Sequence, residues 1–111
     1  MAGLFLRIPV GDAGNLGPGK VRLLELIDET GSIRAAAAKM KLSYRRAWLL
    51  LQDLERVFAG PVLERRTGGK SGGGAALNAR GRDIVKHYRN AERRTQRAVK
   101  GDLEGLAKLK A

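Results

Sequence analysis

Residues Gly31 to Phe58, GSIRAAAAKMKLSYRRAWLLLQDLERVF, decide the fold. Ser32 follows a glycine and is placed to cap a helix in which Ile33, Ala36, Ala37 and Met40 fall at i, i+3, i+4 and i+7. Lys41 and Leu42 make a turn, and Ser43 is a second N-cap. The helix it opens carries Ala47, Leu50, Leu51, Leu54 and Phe58 on one side. At about 100° per residue, Arg45, Leu49, Gln52 and Arg56 point the other way, with Tyr44 and Trp48 on one flank and Arg46 on the other. Two short helices, a tight turn and alanines that permit close packing make a helix-turn-helix, for which duplex DNA is the expected partner.

The first turn of the second helix sharpens that expectation. A helix N-terminus carries partial positive charge, so Arg45 and Arg46 oppose it at a cost of roughly 0.3–1 kcal/mol each when exposed. A fold does not need them. Phosphates or guanine edges turn the same charges into an attractive site, because arginine binds guanine O6 and N7 bidentately. The bland alternative is two solvated arginines on a basic protein. Trp48 divides between a core or rim position and direct contact with nucleic acid. Leu49, apolar on the polar face, either meets a thymine methyl or is simply exposed. The candidate DNA-contacting residues of this segment are Ser32, Arg34, Ser43, Tyr44, Arg45, Arg46, Trp48 and Gln52.

The whole chain agrees with this partner. Its 111 residues, 43% hydrophobic and 5% aromatic, suit one modest core plus an appendage. Twenty-two Lys and Arg against eleven Asp and Glu give a formal charge of +11 and a pI near 10.9, which points to a polyanion: nucleic acid first, an anionic membrane surface second. No apolar run approaches the ~20 residues of a bilayer span. MAGLFLRIPVGD is interrupted too soon by Arg7 and Pro9 to be a signal peptide. Zero cysteines and one histidine, His87, which reads as a surface residue, leave no thiolate or His-cluster metal site. A cytoplasmic protein without cofactor is expected.

Upstream, Leu4, Leu6 and Ile8 alternate with Phe5, Arg7 and Pro9, predicting a short edge strand ended by the proline. Gly11 to Gly17 reads as a connecting loop, and Pro18 suits the first turn of a helix. From Lys20 to Thr30, the set Val21, Leu23, Leu24, Leu26 and Ile27 forms a stripe wide enough to be covered from two sides, and Gly31 is placed to stop the helix.

Downstream, Gly60-Pro61 ends the helix-turn-helix and VLERR supplies a short strand. TGGKSGGG then leads to a second strand at Ala75 to Leu77, making a hairpin with a basic glycine finger. The GGKS string invites comparison with a phosphate-binding P-loop. That motif requires glycine where Glu64 stands and a helix where Gly72, Gly73 and Gly74 follow. Asn78 caps a last helix from Ala79 to about Lys100, or further after Gly101. Gly81, Ile84, Tyr88, Ala91, Thr95 and Ala98 form a thin heptad seam in it, with Val85 alongside. Such a seam suits a homodimer, with Leu4 and Leu6 of the N-terminal strand as a second contact; the alternative is that the helix only covers the core and frays beyond His87. The terminal DLEGLAKLKA is expected to fray.

These residues resemble a known family. GSIRAAAAKMKLSYRRAWLLLQDLE is similar to the helix-turn-helix of LysR-type regulators, and more closely to the N-terminal domain of the molybdate-responsive ModE regulators. The distinctive marks are SYRRAW at Ser43 to Trp48, ERRTGGKSGGGAAL at Glu64 to Leu77, and Leu77-Asn78 followed by Gly81. The resemblance runs from about Leu4 to the middle of the last helix. It implies a mainly α fold with a small β-hairpin wing: a winged helix-turn-helix over residues 1–77, then a long dimerisation helix and basic tail over 78–111. It assigns Ser43, Tyr44, Arg45, Arg46, Trp48 and Gln52 to the recognition helix, and Arg65, Arg66, Thr67, Lys70 and Ser71 to the wing. Members sense molybdate through a C-terminal oxyanion-binding domain; nothing of that kind is seen before Ala111, so no molybdate site is expected within this chain.

The expected function is a sequence-specific, homodimeric DNA-binding transcriptional regulator of the bacterial nucleoid. The alternative is a protein that coats DNA with little sequence preference, which the same charge and glycine finger would serve. No set of residues suits an enzyme: paired carboxylates at productive spacing and a Ser/His/Asp set are both missing.

Overall fold

A computed structural model describes residues 3–66 and 74–110. The element order is β1 (Ile8–Val10), β2 (Gly14–Leu16), α1 (Pro18–Thr30), α2 (Ile33–Lys39), α3 (Tyr44–Val57), β3 (Leu63–Arg66), β4 (Gly74–Leu77), α4 (Ala79–Ala98) and α5 (Lys100–Leu109). Two small antiparallel hairpins, β1-β2 and β3-β4, flank a helical body.

The body is organised around α1. Pro18 stands at its start and Gly31 ends it in the left-handed region at φ 72°, its N–H donating to Ile27 O at 2.8 Å. Val21, Leu23, Leu24, Leu26 and Ile27 are all buried, because α2, α3, α4 and β4 pack around the helix. The wide stripe predicted for this helix is therefore covered from several sides, as expected. Ala36 and Ala37 bring α2 close, and Ala47, Leu51, Leu54 and Val57 close the core from α3.

Three predicted caps are made. Ser32 Oγ accepts from Ala35 N–H and Ser43 Oγ from Arg46 N–H, both at 3.0 Å; Asn78 Oδ1 accepts from Gly81 N–H at 2.8 Å. Asn78 also donates through Nδ2 to Pro61 O at 2.8 Å, and its backbone N–H donates to Val62 O at 3.0 Å. A Cβ at Gly81 would lie 2.3 Å from that same Val62 oxygen, so glycine is what permits α4 to start against the β3 approach.

The second hairpin pairs Leu63 with Leu77, Glu64 with Ala76, Arg65 with Ala75 and Arg66 with Gly74. Its attachment is specific. Ala75 N–H donates to Gly31 O at 2.9 Å, and Leu77 N–H donates to Asp28 Oδ1 at 3.2 Å. One turn earlier on the same side of α1, Arg89 of α4 holds Glu25 through two bonds of 2.8 and 3.2 Å and reaches Glu92 at 2.7 Å. That bidentate bond is the chief cause holding the Glu25 carboxyl below its ordinary range, and it pushes the Arg89 guanidinium pKa up.

Two expectations are corrected. The strand predicted at Leu4 to Ile8 lies instead at Ile8–Val10, and the predicted loop Gly11 to Gly17 contains its partner β2. Exposure does alternate from Gly3 to Val10, so the chain is extended there. It finds a ladder only where Gly11, at φ 56°, turns it back, and Pro9 is tolerated because a two-stranded hairpin leaves one edge free. The terminal DLEGLAKLKA forms α5 rather than fraying. Strong helix formers outnumber Gly101 and Gly105 there, Asp102 in the first turn and Lys108 in the last suit the helix dipole, and Val99 alone leaves helical angles between α4 and α5. No helix among the described residues is long and apolar enough to cross a membrane.

Candidate nucleic-acid interface

Ser43 positions the first turn of α3 by capping it, and Tyr44, Arg45 and Arg46 follow with exposed side chains. Each serine cap spends an Oγ lone pair on a backbone N–H. Its hydroxyl proton stays free to donate to a phosphate, for Ser32 as for Ser43. Arg34, on α2, lays its guanidinium 4.3 Å from the centroid of the Tyr44 ring, and Trp48 meets that ring edge-on at 6.2 Å. The stack Arg34, Tyr44, Trp48 thus joins the starts of α2 and α3. Trp48 is half-buried and packs on the core, so it is a rim residue that also buttresses Tyr44. Gln52 is exposed one turn beyond Trp48.

The surface is electrostatically one-sided. Residues 30–52 contain no Asp or Glu and five cations: Arg34, Lys39, Lys41, Arg45 and Arg46. None of these five has a carboxylate partner among the described residues, whereas Lys20, Arg22, Arg56 and Arg89 elsewhere are paired. Lys39 and Lys41 were not among the predicted site residues; the run of 23 positions without an acid was the signal in the sequence. Arg56, predicted on the outward face, is exposed there, and it pairs with Asp53 and donates to Ala13 O, tying α3 to the β1-β2 turn. Asp53 is held below its ordinary range by Lys20 first and Arg56 second.

The hairpin is brought to the same surface through Gly31. That residue precedes Ser32 and receives Ala75, and Ala75 lies opposite Arg65, which is exposed. Thr67, Lys70 and Ser71 lie outside the described residues, as does the Arg66 side chain.

The seam foreseen for α4 is divided. Ile84 and Tyr88 are buried in the chain's own core, where Tyr88 Oη donates to Leu6 O at 2.8 Å and burial raises the phenol pKa. Val85, Ala91 and Thr95 are half-buried and Ala98 is exposed; Leu4 and Leu6 are half-buried. His87 is exposed, as expected, at the lip of an apolar groove between β1, β2 and α4.

A winged helix-turn-helix with an acid-free basic face is the class these features define. The family described as bacterial regulatory helix-turn-helix protein, LysR family, matches residues 19–82, and the chain belongs to it. The family is one of regulators, not of enzymes. Among its relatives, the transcriptional regulator ModE of Haemophilus influenzae is 39% identical over 95 residues, 86% of this chain and 37% of that protein. The molybdenum transport protein ModE of Azotobacter vinelandii is 38% identical over 99 residues, 89% of this chain and 36% of that protein. The chain thus spans little more than a third of the length of either. Among solved structures, the DNA-binding domain of CbnR, crystallised with DNA, is similar in fold. Its TM-score is 0.59 at 24% identity, covering 80% of this chain and 94% of that one.

Proposed function

We propose that the chain is a sequence-specific, DNA-binding transcriptional regulator. α3 enters the major groove, and Arg45, Arg46 and Gln52 face base edges. Ser32, Arg34, Ser43 and Tyr44 contact the backbone around it. The β3-β4 wing, with Arg65, Arg66, Thr67, Lys70 and Ser71, lies along the phosphates. The observation that carries this is the set of five cations without carboxylate partners around the N-terminus of α3, where charge and dipole both favour an anion. The proposed assembly is a homodimer in the bacterial cytoplasm. Ile84 and Tyr88 hold α4 on the core, while Val85, Ala91, Thr95 and Ala98, with Leu4 and Leu6, supply the contact surface.

Selection of bound sequences from random duplexes, followed by titration at several salt concentrations, tests the proposal. A regulator selects a palindromic site, and log K falls by about 0.9 per log unit of salt for each phosphate neutralised. Arg45→Ala and Arg46→Ala should each cost about 1–3 kcal/mol on that site and much less on unrelated DNA. Equal losses on both would refute base reading, and failure to select any sequence would favour a protein that coats DNA. Thr95→Arg should lower the molar mass in sedimentation if the seam makes the dimer.

A further inference from the structure

We propose that Leu49 reads a thymine methyl group, which makes it a specificity-determining residue; this rests on the DNA-binding function proposed above. Among the described residues, five large hydrophobic side chains are exposed: Phe5, Tyr44, Leu49, Leu106 and Leu109. Two of the five lie on α3, and their surroundings differ. Tyr44 is covered by the Arg34 guanidinium on its face and by Trp48 at its edge. Leu49 is 45% exposed and does not belong to the set buried in or packed on the core, which on α3 comprises Ala47, Trp48, Leu50, Leu51, Leu54 and Val57. Nearly half of its surface is left to solvent.

Its position supplies a use for that surface. Arg45 and Leu49 are four residues apart and Leu49 and Gln52 three, so the three side chains share an arc of about 60° on the side opposite Ala47, Leu51 and Leu54. Along the axis, Leu49 lies roughly 6 Å beyond Arg45 and roughly 4.5 Å before Gln52, one to two base-pair steps in each direction. The row ends there, because Arg56, the next residue on that arc, is tied to Asp53 and Ala13. In the major groove, arginine matches guanine, glutamine matches adenine, and the one apolar feature that any base presents is the C5-methyl of thymine. A leucine between an arginine and a glutamine therefore meets either that methyl or bare water. Covering the methyl removes apolar surface from water on both partners without demanding a directional bond, and cytosine in the same place leaves the leucine facing an amino group.

Deoxyuridine tests this, since it pairs as thymine does and lacks only the methyl. On the selected operator, single thymine-to-deoxyuridine replacements should be neutral except at one position per half-site, where affinity falls about fourfold, the value of one buried methyl. Leu49→Ala should bind the thymine operator about fourfold or more less tightly and should no longer distinguish thymine from deoxyuridine there. Leu49→Met should retain the distinction. Because Leu49 is exposed and lies outside the buried core, circular dichroism of both variants should match the parent. The proposal is overturned if deoxyuridine is neutral at every position, or if Leu49→Ala still discriminates. A chain that selects no sequence refutes the sequence-specific function proposed above, an outcome separate from one that selects a site yet ignores the methyl.

Discussion

Ala75 donates its backbone N–H to the carbonyl oxygen of Gly31 at 2.9 Å, so the second hairpin hangs on the turn that leads into the helix-turn-helix. This one bond couples the wing to the segment that carries Ser32 and Arg34. A Cβ at the neighbouring Gly74 would stand 2.6 Å from the same oxygen, which leaves no room for a side chain. Gly74→Ala should therefore loosen the wing: we expect roughly 1–3 kcal/mol of lost stability in urea unfolding and faster amide exchange at Ala75.

Gly81→Ala sets two effects against each other. Alanine in a helix gains about 1 kcal/mol over glycine, but here its Cβ would lie 2.3 Å from Val62 O, an acceptor already used by Asn78 N–H. Backbone must move, and overpacking of this kind costs typically ~1–3 kcal/mol. The expected result is net destabilisation, seen as a lower denaturation midpoint, against the helix-propensity trend.

Asn78 does more than a simple cap, because its amide group binds Gly81 N–H on one side and Pro61 O on the other. Ser43→Ala should cost about 1 kcal/mol, the ordinary value of a lost N-cap. Asn78→Ala should cost more, and Asn78→Asp should fall between, since the carboxylate keeps the cap but cannot donate to Pro61. Parallel thermal and urea unfolding of the three variants gives the order.

Arg89 and Glu25 link α4 to α1, and removing the arginine leaves a half-buried carboxylate without its main partner. Arg89→Ala should lose about 1–2 kcal/mol at neutral pH. Glu25 has its pKa lowered by folding, so its contribution is complete above the ordinary carboxylate value of about 4.3 and disappears as pH falls through the lower folded value. The stability gap between parent and variant should accordingly narrow below about pH 4 in a pH series of unfolding curves.

The Arg34–Tyr44 stack orders a cation without neutralising it. In titrations on the selected operator, Arg34→Ala and Tyr44→Ala should be non-additive, with a coupling of about 0.5–1 kcal/mol in a double-mutant cycle. Strict additivity would mean that the ring does not position the guanidinium for binding.

Much of the fold was legible in the residues because it depends on local chemistry. Ser32, Ser43 and Asn78 cap the helices they precede, and Gly31 stops α1 in a conformation that glycine adopts without strain. The outward row Arg45, Leu49, Gln52 follows from helical periodicity alone. The β1-β2 hairpin was less legible, since GDAGNLGPG carries no alternation and its pairing depends on where the extended N-terminal segment finds a partner. The helicity of α5 lay in its composition, but its glycines masked it.

Sequence by itself determined the helix-turn-helix, its caps, its basic face and the glycines of the hairpin, because each depends on residues within a few positions of one another. Tertiary structure decided which charges are tied down across the fold: Arg89 is set apart from Arg45 by Glu25 of α1 folding against it, and Arg56, which has Asp53 three positions before it in the chain, gains Ala13 O only in the fold. It also decided that Ile84 and Tyr88 serve the chain's own core, because a seam does not specify which surface will cover it. The wing's place beside Ser32 was settled in the same way, by Gly31 and Ala75 meeting across 44 positions of sequence.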